Sequence, residues 1–411
     1  MTRLVLVGGA LVLLAAGSAR GELPRSLSFG DVVELAQAGA PGVRLADADV
    51  DVVRGRGVGA RVRFADNPVL EGGLGSRWGD ERTTDREVSL SFPIELGGKR
   101  GKRVAAADAD VQVATARAAD VRRSIAGYAV ALYFQVLFAQ EAVALAEQRN
   151  SLADKLVDTA RARKQAGDAA DFEVNLAASE LSRSKSGIAA ANRRLATART
   201  RLAVILGLDS LDGVSVGGQL DDWSFVTVDA VADTGADRSD VRVARAEVDA
   251  ANADVVLADT ARWPALSFRI TYAHEESADI AFGGLAITLP IFERGQGDRA
   301  EARAERHRAE LELQATEALA HTELDGARAA YHAAVEAVTE MKDHAVPLAI
   351  ENERMARESY AAGKIELAAM LVVRREALDT RSEYLERLLE AALAAVDLWV
   401  AQDAPFDETR R

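Results

Sequence analysis

SFPIELGGKRGKR, residues 91–103, joins two different kinds of pattern. An alternating, strand-like run ends at Gly97-Gly98, a burst of positive charge follows at Lys99, Arg100, Lys102 and Arg103, and a very long helical pattern then begins. A looser copy, TLPIFERGQGDR at 288–299, opens a second such pattern. A chain that makes one unusual junction twice is a candidate for internal duplication, and a fixed period is the test.

The period is present. GVRLADADVDVVR (42–54) resembles DVRVARAEVDAAN (240–252), and ARKQAGDAADFEV (162–174) resembles RESYAAGKIELAA (357–369). Arg44 corresponds to Arg242, Pro93 to Pro290 and Gly167 to Gly363, at offsets of 198, 197 and 196. Three separate matches thus agree on one long duplication. The expected repeats cover 22–206 and 238–403. Between them, 207–237 is rich in Gly and Asp, lacks helical periodicity and reads as a linker; 404–411 is a tail.

Each half has the same plan. A helix comes first, Val43 to Phe64 in one half and Val241 to Ala261 in the other. Strand-like runs follow at about 68–78 and 87–97, then at about 265–274 and 280–292. In REVSLSFPIEL, Val88, Leu90, Phe92, Ile94 and Leu96 fall on one face and Glu87, Ser89, Ser91, Pro93 and Glu95 on the other. Such alternation describes a sheet with one apolar and one wet side. The run 280–292 changes phase around Gly283-Gly284, which predicts a bulge or bend.

The period then changes from two to three and a half. Val174, Leu181, Ile188, Leu195 and Leu202 recur every seventh position, and Leu371, Leu378, Leu385, Ala392 and Trp399 repeat the pattern in the second half. Ala320 to Ala345 continues a similar seam. These are coiled-coil seams, predicting hairpins over about 99–206 and 296–402. Gly167 and Gly363 interrupt them and supply the backbone freedom a hairpin turn needs.

Composition agrees. Of the 411 residues 49% are hydrophobic but only 5% aromatic, which favours helices packed on small side chains. Fifty basic against 64 acidic residues give a net charge of −14, which argues against a nucleic-acid partner. Cys is absent, so disulfides, thiolate metal sites, a cysteine nucleophile and a lipid anchor on Cys are excluded. Residues 1–21 read as a secretory signal peptide: Arg3, an apolar run from Leu4 to Ala16, then small residues. No later run reads as a membrane helix.

An exported chain of this kind can enter a membrane only as strands, and two strands per half cannot close a barrel alone. Open edges are not tolerated in lipid. Three copies supply twelve strands, enough for a closed barrel with a channel. The expected fold is therefore mainly α with a small membrane β-barrel: a trimer with a 12-stranded barrel continued by an α-helical tunnel.

At this point the sequence resembles the TolC-type outer membrane efflux proteins. The duplicated plan, the FPIELGGKR and LPIFERGQG junctions and the YAAGKIEL turn carry the resemblance over nearly all of the mature chain. The GGKR wording looks most like the cobalt-zinc-cadmium efflux branch. The family implies a homotrimeric channel through outer membrane lipid with a periplasmic extension. It also implies docking of a periplasmic adaptor and an inner-membrane RND transporter at the hairpin turns, Gly167 and Gly363. Acids just past those glycines line the entrance in the family, which points here to Asp171, Glu173 and Glu366; Asp168 also follows Gly167. Ala369 stands where a second-half acid is expected, so the ring is weaker in that half.

At the junction, Pro93 and Pro290 lack a ladder donor and suit a strand end or bulge. Gly97 and Gly98 permit a change of direction. The cations Lys99 to Arg103 oppose the positive end of their own helix, so helix capping does not explain them. Anionic lipid headgroups or plain solvation are the two readings.

Other chemistry is thin. The five histidines have no metal-ligand spacing, and there is no phosphate loop or nucleophile elbow. The expected function is passive conduction in a tripartite pump, of divalent heavy-metal cations, with no enzyme activity, cofactor or resident metal. The alternatives are a multidrug or type I secretion channel, a structural periplasmic coiled-coil or adaptor protein, and an exported hydrolase.

Overall fold

A computed structural model describes residues 26–64, 66–78, 82–226, 237–275 and 278–403. The proposed signal peptide and the tail lie outside the described residues. In chain order the elements are β1 (Ser26–Leu27), α1 (Phe29–Gly39), α2 (Pro41–Ala60), β2 (Val69–Trp78), β3 (Arg82–Ile94), α3 (Lys99–Ala166) and α4 (Asp171–Leu206). Then come β4 (Ser215–Val216), α5 (Ser239–Ala258), β5 (Ala265–Glu275), β6 (Ala278–Thr288), α6 (Gln296–Glu340), α7 (Val346–Ala361) and α8 (Leu367–Gln402).

The four longer strands form one sheet in the order β2-β3-β5-β6, antiparallel throughout. Opposed residues share a face, so the register sorts the side chains. Phe268 pairs with both Phe92 and Leu285, and Ile270 with Leu90, putting an apolar set on one face with Leu70, Leu74, Trp78, Val88 and Tyr272. That face is exposed, Leu74 by 83% and Trp78 by 76%. The other face carries Glu71, Arg77, Asp85 and Arg269 and curls inward: Arg77 on β2 reaches past β3 to Glu275 on β5 at 3.4 Å, and Ser89 and Thr271 are buried. A greasy convex side and a polar concave side are what a wall between lipid and water needs.

The strands depart from expectation at their ends. β3 starts earlier than 87 and stops at Ile94, leaving Leu96 outside; Pro93 lies within it, opposite Ser267. β6 stops at Thr288, before Pro290. The bulge expected at Gly283-Gly284 is absent: pairing with β5 runs unbroken from Ala265–Thr288 to Glu275–Ala278. The phase change instead moves apolar side chains across the sheet, so Ile280 and Phe282 share the concave face with Thr271 and Ala273.

The helices form rods. α3 has 68 residues, about 100 Å at 1.5 Å each. By length and composition it holds an 18-residue window apolar enough to pass for a membrane span, contrary to the sequence reading, but its residues from Ala126 to Ala139 are the centre of the core. Val130, Phe134 and Val136 are buried there with Leu202 of α4 and Ala391, Ala392 and Val396 of α8. The seam from Ala320 to Ala345 is not continuous either. A π turn at Met341–Ala345 separates α6 from α7, just before Pro347, whose ring has no N–H and displaces the carbonyl one turn back.

The stretch read as a linker is largely docked. β4 pairs in parallel with β1, and Leu211, Val216 and Leu220 are buried. The Tyr133 hydroxyl donates to the Gly217 carbonyl at 2.6 Å, and Phe225 stacks on Phe29 at 4.6 Å. Residues 227–236 lie outside the described set. The leading helices are shorter than 43–64 and 241–261: α2 ends at Ala60 and α5 at Ala258, followed by a tight turn at Asp259–Arg262. α1 adds an element not expected from periodicity, opened by a capping box in which Ser28 and Asp31 satisfy each other's backbone N–H.

Candidate functional site at the hairpin ends

Two glycines build the far ends of the rods. Gly167 (φ 85°) and Gly363 (φ 70°) occupy the left-handed region that side chains disfavour. Both turns use the same bonds. Asp168 N–H donates to the Arg163 carbonyl and Lys364 N–H to that of Ser359, each at 2.9 Å. The two ends then pack together: Leu156, Val157, Ala160 and Ala177 of the first hairpin meet Ala356, Tyr360, Leu367 and Met370 of the second.

A polar cluster sits on this contact. The Arg163 guanidinium lies over the Tyr360 ring, 4.6 Å from its centroid. Glu173, half-buried near the start of α4, accepts a long hydrogen bond from the Tyr360 hydroxyl at 3.4 Å and stands 3.8 Å from Arg163. Burial pushes the Tyr360 phenol above its ordinary value, while Arg163 pulls the other way. Asp171 is exposed and pairs with Lys164. Glu366 is the exposed N-cap of α8, with no side-chain cap bond. Asp168 is also exposed, its carbonyl accepting from Arg163 at 3.2 Å.

Of the acids singled out from sequence, Asp171 and Glu173 therefore share one hairpin end and Glu366 occupies the neighbouring turn. Arg163 and Tyr360 were not legible as partners, because their contact joins segments from different hairpins. Above them, a groove of about 580 Å³ separates α4 from α8 and contains Arg149, Arg183, Arg194, Arg374 and Arg375. Arg374 is buried and donates to the Leu152 and Arg149 carbonyls at 3.3 and 3.2 Å. Among the described residues, no group of three or more His, Asp or Glu side chains is arranged to hold a metal.

At the other end of α3, Gly98 (φ 71°) and its counterpart Gly295 (φ 66°) are the left-handed N-caps of α3 and α6. Gly97 packs against Trp263, where a Cβ would approach the indole to 2.6 Å. The basic cluster has a role that neither sequence reading contained. Arg100 donates to the Arg61 carbonyl at 2.9 Å and to Val62 O at 3.3 Å; Arg103 donates to Ala60 O at 3.2 Å and pairs with Glu95. These two arginines cap the negative end of α2, a neighbouring helix, rather than their own. Lys99 stays exposed.

The fold is similar to that of solved outer membrane channels. A solved structure of CusC superposes with a TM-score of 0.78 over 91% of both chains, at 18% identity. The profile of the outer membrane efflux protein family matches residues 32–208. The cobalt-zinc-cadmium resistance protein CzcC of Cupriavidus metallidurans is 27% identical over 348 residues, covering 82% of this chain and 81% of that one. The nickel-cobalt-cadmium resistance protein NccC of Alcaligenes xylosoxydans xylosoxydans is 27% identical over 306 residues, or 71% and 66%. In sequence the chain is similar to the outer membrane efflux protein family over residues 32–208, and to these two metal-resistance relatives over most of its length.

Proposed function

We propose that three copies of this chain join their open sheet edges into a twelve-stranded barrel through the outer membrane. The paired rods extend it into the periplasm as a tunnel about 100 Å long. The chain is a passive duct: an inner-membrane RND transporter supplies the energy, and a periplasmic adaptor docks at the hairpin ends. Residues 1–21 act as the export signal, and without Cys the mature chain carries no lipid anchor of that kind. The cargo is divalent heavy-metal cations, on the strength of the names of the two relatives.

The observation that carries the channel reading is the sheet. Among the described residues, its apolar convex face and polar concave face end in two unpaired edges, β2 and β6, which lipid does not tolerate open. In this conformation Glu173 is held by Arg163 and Tyr360. Releasing it would bring Asp171, Glu173 and Glu366 of three copies to the entrance as a ring that attracts cations.

The deciding experiment deletes the gene in its native host and measures growth across zinc, cobalt, cadmium, copper, dyes, detergents and antibiotics. Sensitivity confined to divalent metals, restored by the wild-type gene, supports the proposal. Sensitivity to organic compounds moves the chain to multidrug efflux, and lost export of a protein moves it to type I secretion. Electron microscopy of the purified protein separates a hollow three-fold tube from the solid rod of a structural adaptor.

A further inference from the structure

The phase change in β6 leaves a feature that a barrel wall does not need. Apart from Val69 at the start of β2, the rest of the concave face is polar or small: Glu71, Gly73, Gly75 and Arg77 on β2, Asp85, Glu87 and Ser89 on β3, Arg269 and Thr271 on β5. Ile280 and Phe282 break it, exposed by 41% and 55%, near the start of β6 and away from the helices. Two apolar side chains on the wet side of an open edge are a liability unless something covers them.

The opposite edge of the same sheet supplies the complement. Gly73 and Gly75 are the concave-face residues of β2 with no side chains, and their Cβ positions approach only Glu87 and Asp85 of their own sheet, at 3.9 Å. We infer that Ile280 and Phe282 of one copy seat over Gly75 and Gly73 of the next, fixing the register of the subunit joint and placing an apolar collar in the lumen. The inference rests on the three-copy reading above.

Parity and size select this register. A one-residue slip puts polar residues on the lipid side, so only shifts of two are open. With Phe282 opposite Gly73, Ile280 falls opposite Gly75, Gly284 opposite Glu71 and Ala286 opposite Val69. Large meets small at every concave step. On the convex face Leu285 falls opposite Leu70, an apolar pair facing lipid. Sliding two residues one way sets Ile280 on Arg77, which is engaged with Asp85 at 3.1 Å and Glu275 at 3.4 Å. Sliding the other way sets Phe282 on Glu71, which Ser89 and Arg269 hold at 3.4 and 3.9 Å.

The native chain has no Cys, so paired cysteines report without background. Full-length protein in outer membranes carries Phe282→Cys with Gly73→Cys, Ile280→Cys with Gly75→Cys, or Leu285→Cys with Leu70→Cys, the last leaving both glycines intact. A short bis-methanethiosulfonate should convert each into covalent dimers and trimers on denaturing gels. Phe282→Cys with Gly75→Cys, or with Glu71→Cys, should remain monomeric. Cross-linking confined to a shifted pair overturns the register and the collar while leaving the trimer standing. No inter-subunit product from any pair, in protein that is inserted and folded, overturns the trimer itself.

Discussion

Arg163 and Tyr360 meet at 4.6 Å across the two hairpin ends, cation over ring, with Glu173 touching both. This contact ties the first hairpin to the second at the proposed entrance. A cation over an aromatic ring contributes about 0.5–2 kcal/mol, so the tie is strong enough to bias an opening yet weak enough to release. Arg163→Ala should leave Glu173 without its cation and loosen the turn. Single-channel recordings in planar bilayers should show higher conductance and stronger cation preference than wild type. Unchanged conductance and selectivity would mean that the contact is structural only.

The arginine clamp separates two accounts of the basic junction. If Arg103 stabilises the chain by capping α2 through the Ala60 and Val62 carbonyls and pairing with Glu95, its loss acts in any surroundings. Hydrogen bonds to a charged donor contribute about 1.5–3 kcal/mol. Arg103→Ala should therefore lower thermal stability by a similar amount in detergent, with or without anionic lipid. A loss that appears only when anionic lipid is present would return these cations to the headgroup reading.

Legibility followed the range of the interaction. The faces of β3 and β5 and the turns at Gly167 and Gly363 are local, and alternation or a single glycine encodes them. Ser28 and Asp31 were equally local, and their S-x-x-D spacing could have announced α1. Arg100 and Arg103 were not readable, because their acceptors lie about 40 residues earlier, beyond a whole hairpin of the sheet. In the second half the clamp is absent at the matching place, where Gly297 stands for Arg100 and Ala300 for Arg103. Alternation also cannot tell a bulged strand from a straight one whose apolar residues change sides, and β6 is the latter.

Asp254 gives a pH test with a definite sign. It sits on α5 near Asp110 of α3 and Glu305 of α6; burial first, then these two carboxylates, raise its pKa above 3.8. The folded state thus binds a proton more readily than the unfolded one. The penalty of holding Asp254 ionised is fully present above the folded-state pKa and fades as pH falls through it towards 3.8. Asp254→Asn should raise the melting temperature at pH 8, and the gain should shrink as pH is lowered towards 4. A gain independent of pH would assign the effect to packing instead.

Gly127 sets how closely α3 and α8 approach. A Cβ there would come within 2.4 Å of Val400 Cγ2, far inside contact distance, and Val400 is β-branched and stiff about χ1. The two helices must separate or Val400 must leave its rotamer, and overpacking of this kind costs about 1–3 kcal/mol. On an isolated helix the same change would help, since Ala exceeds Gly in propensity by about 1 kcal/mol. The two effects oppose each other, and the clash should win. Gly127→Ala should lower the melting temperature, and adding Val400→Ala should recover more than Val400→Ala alone loses. Their coupling in a double-mutant cycle measures the contact directly; additive effects would show that the helices have room to shift.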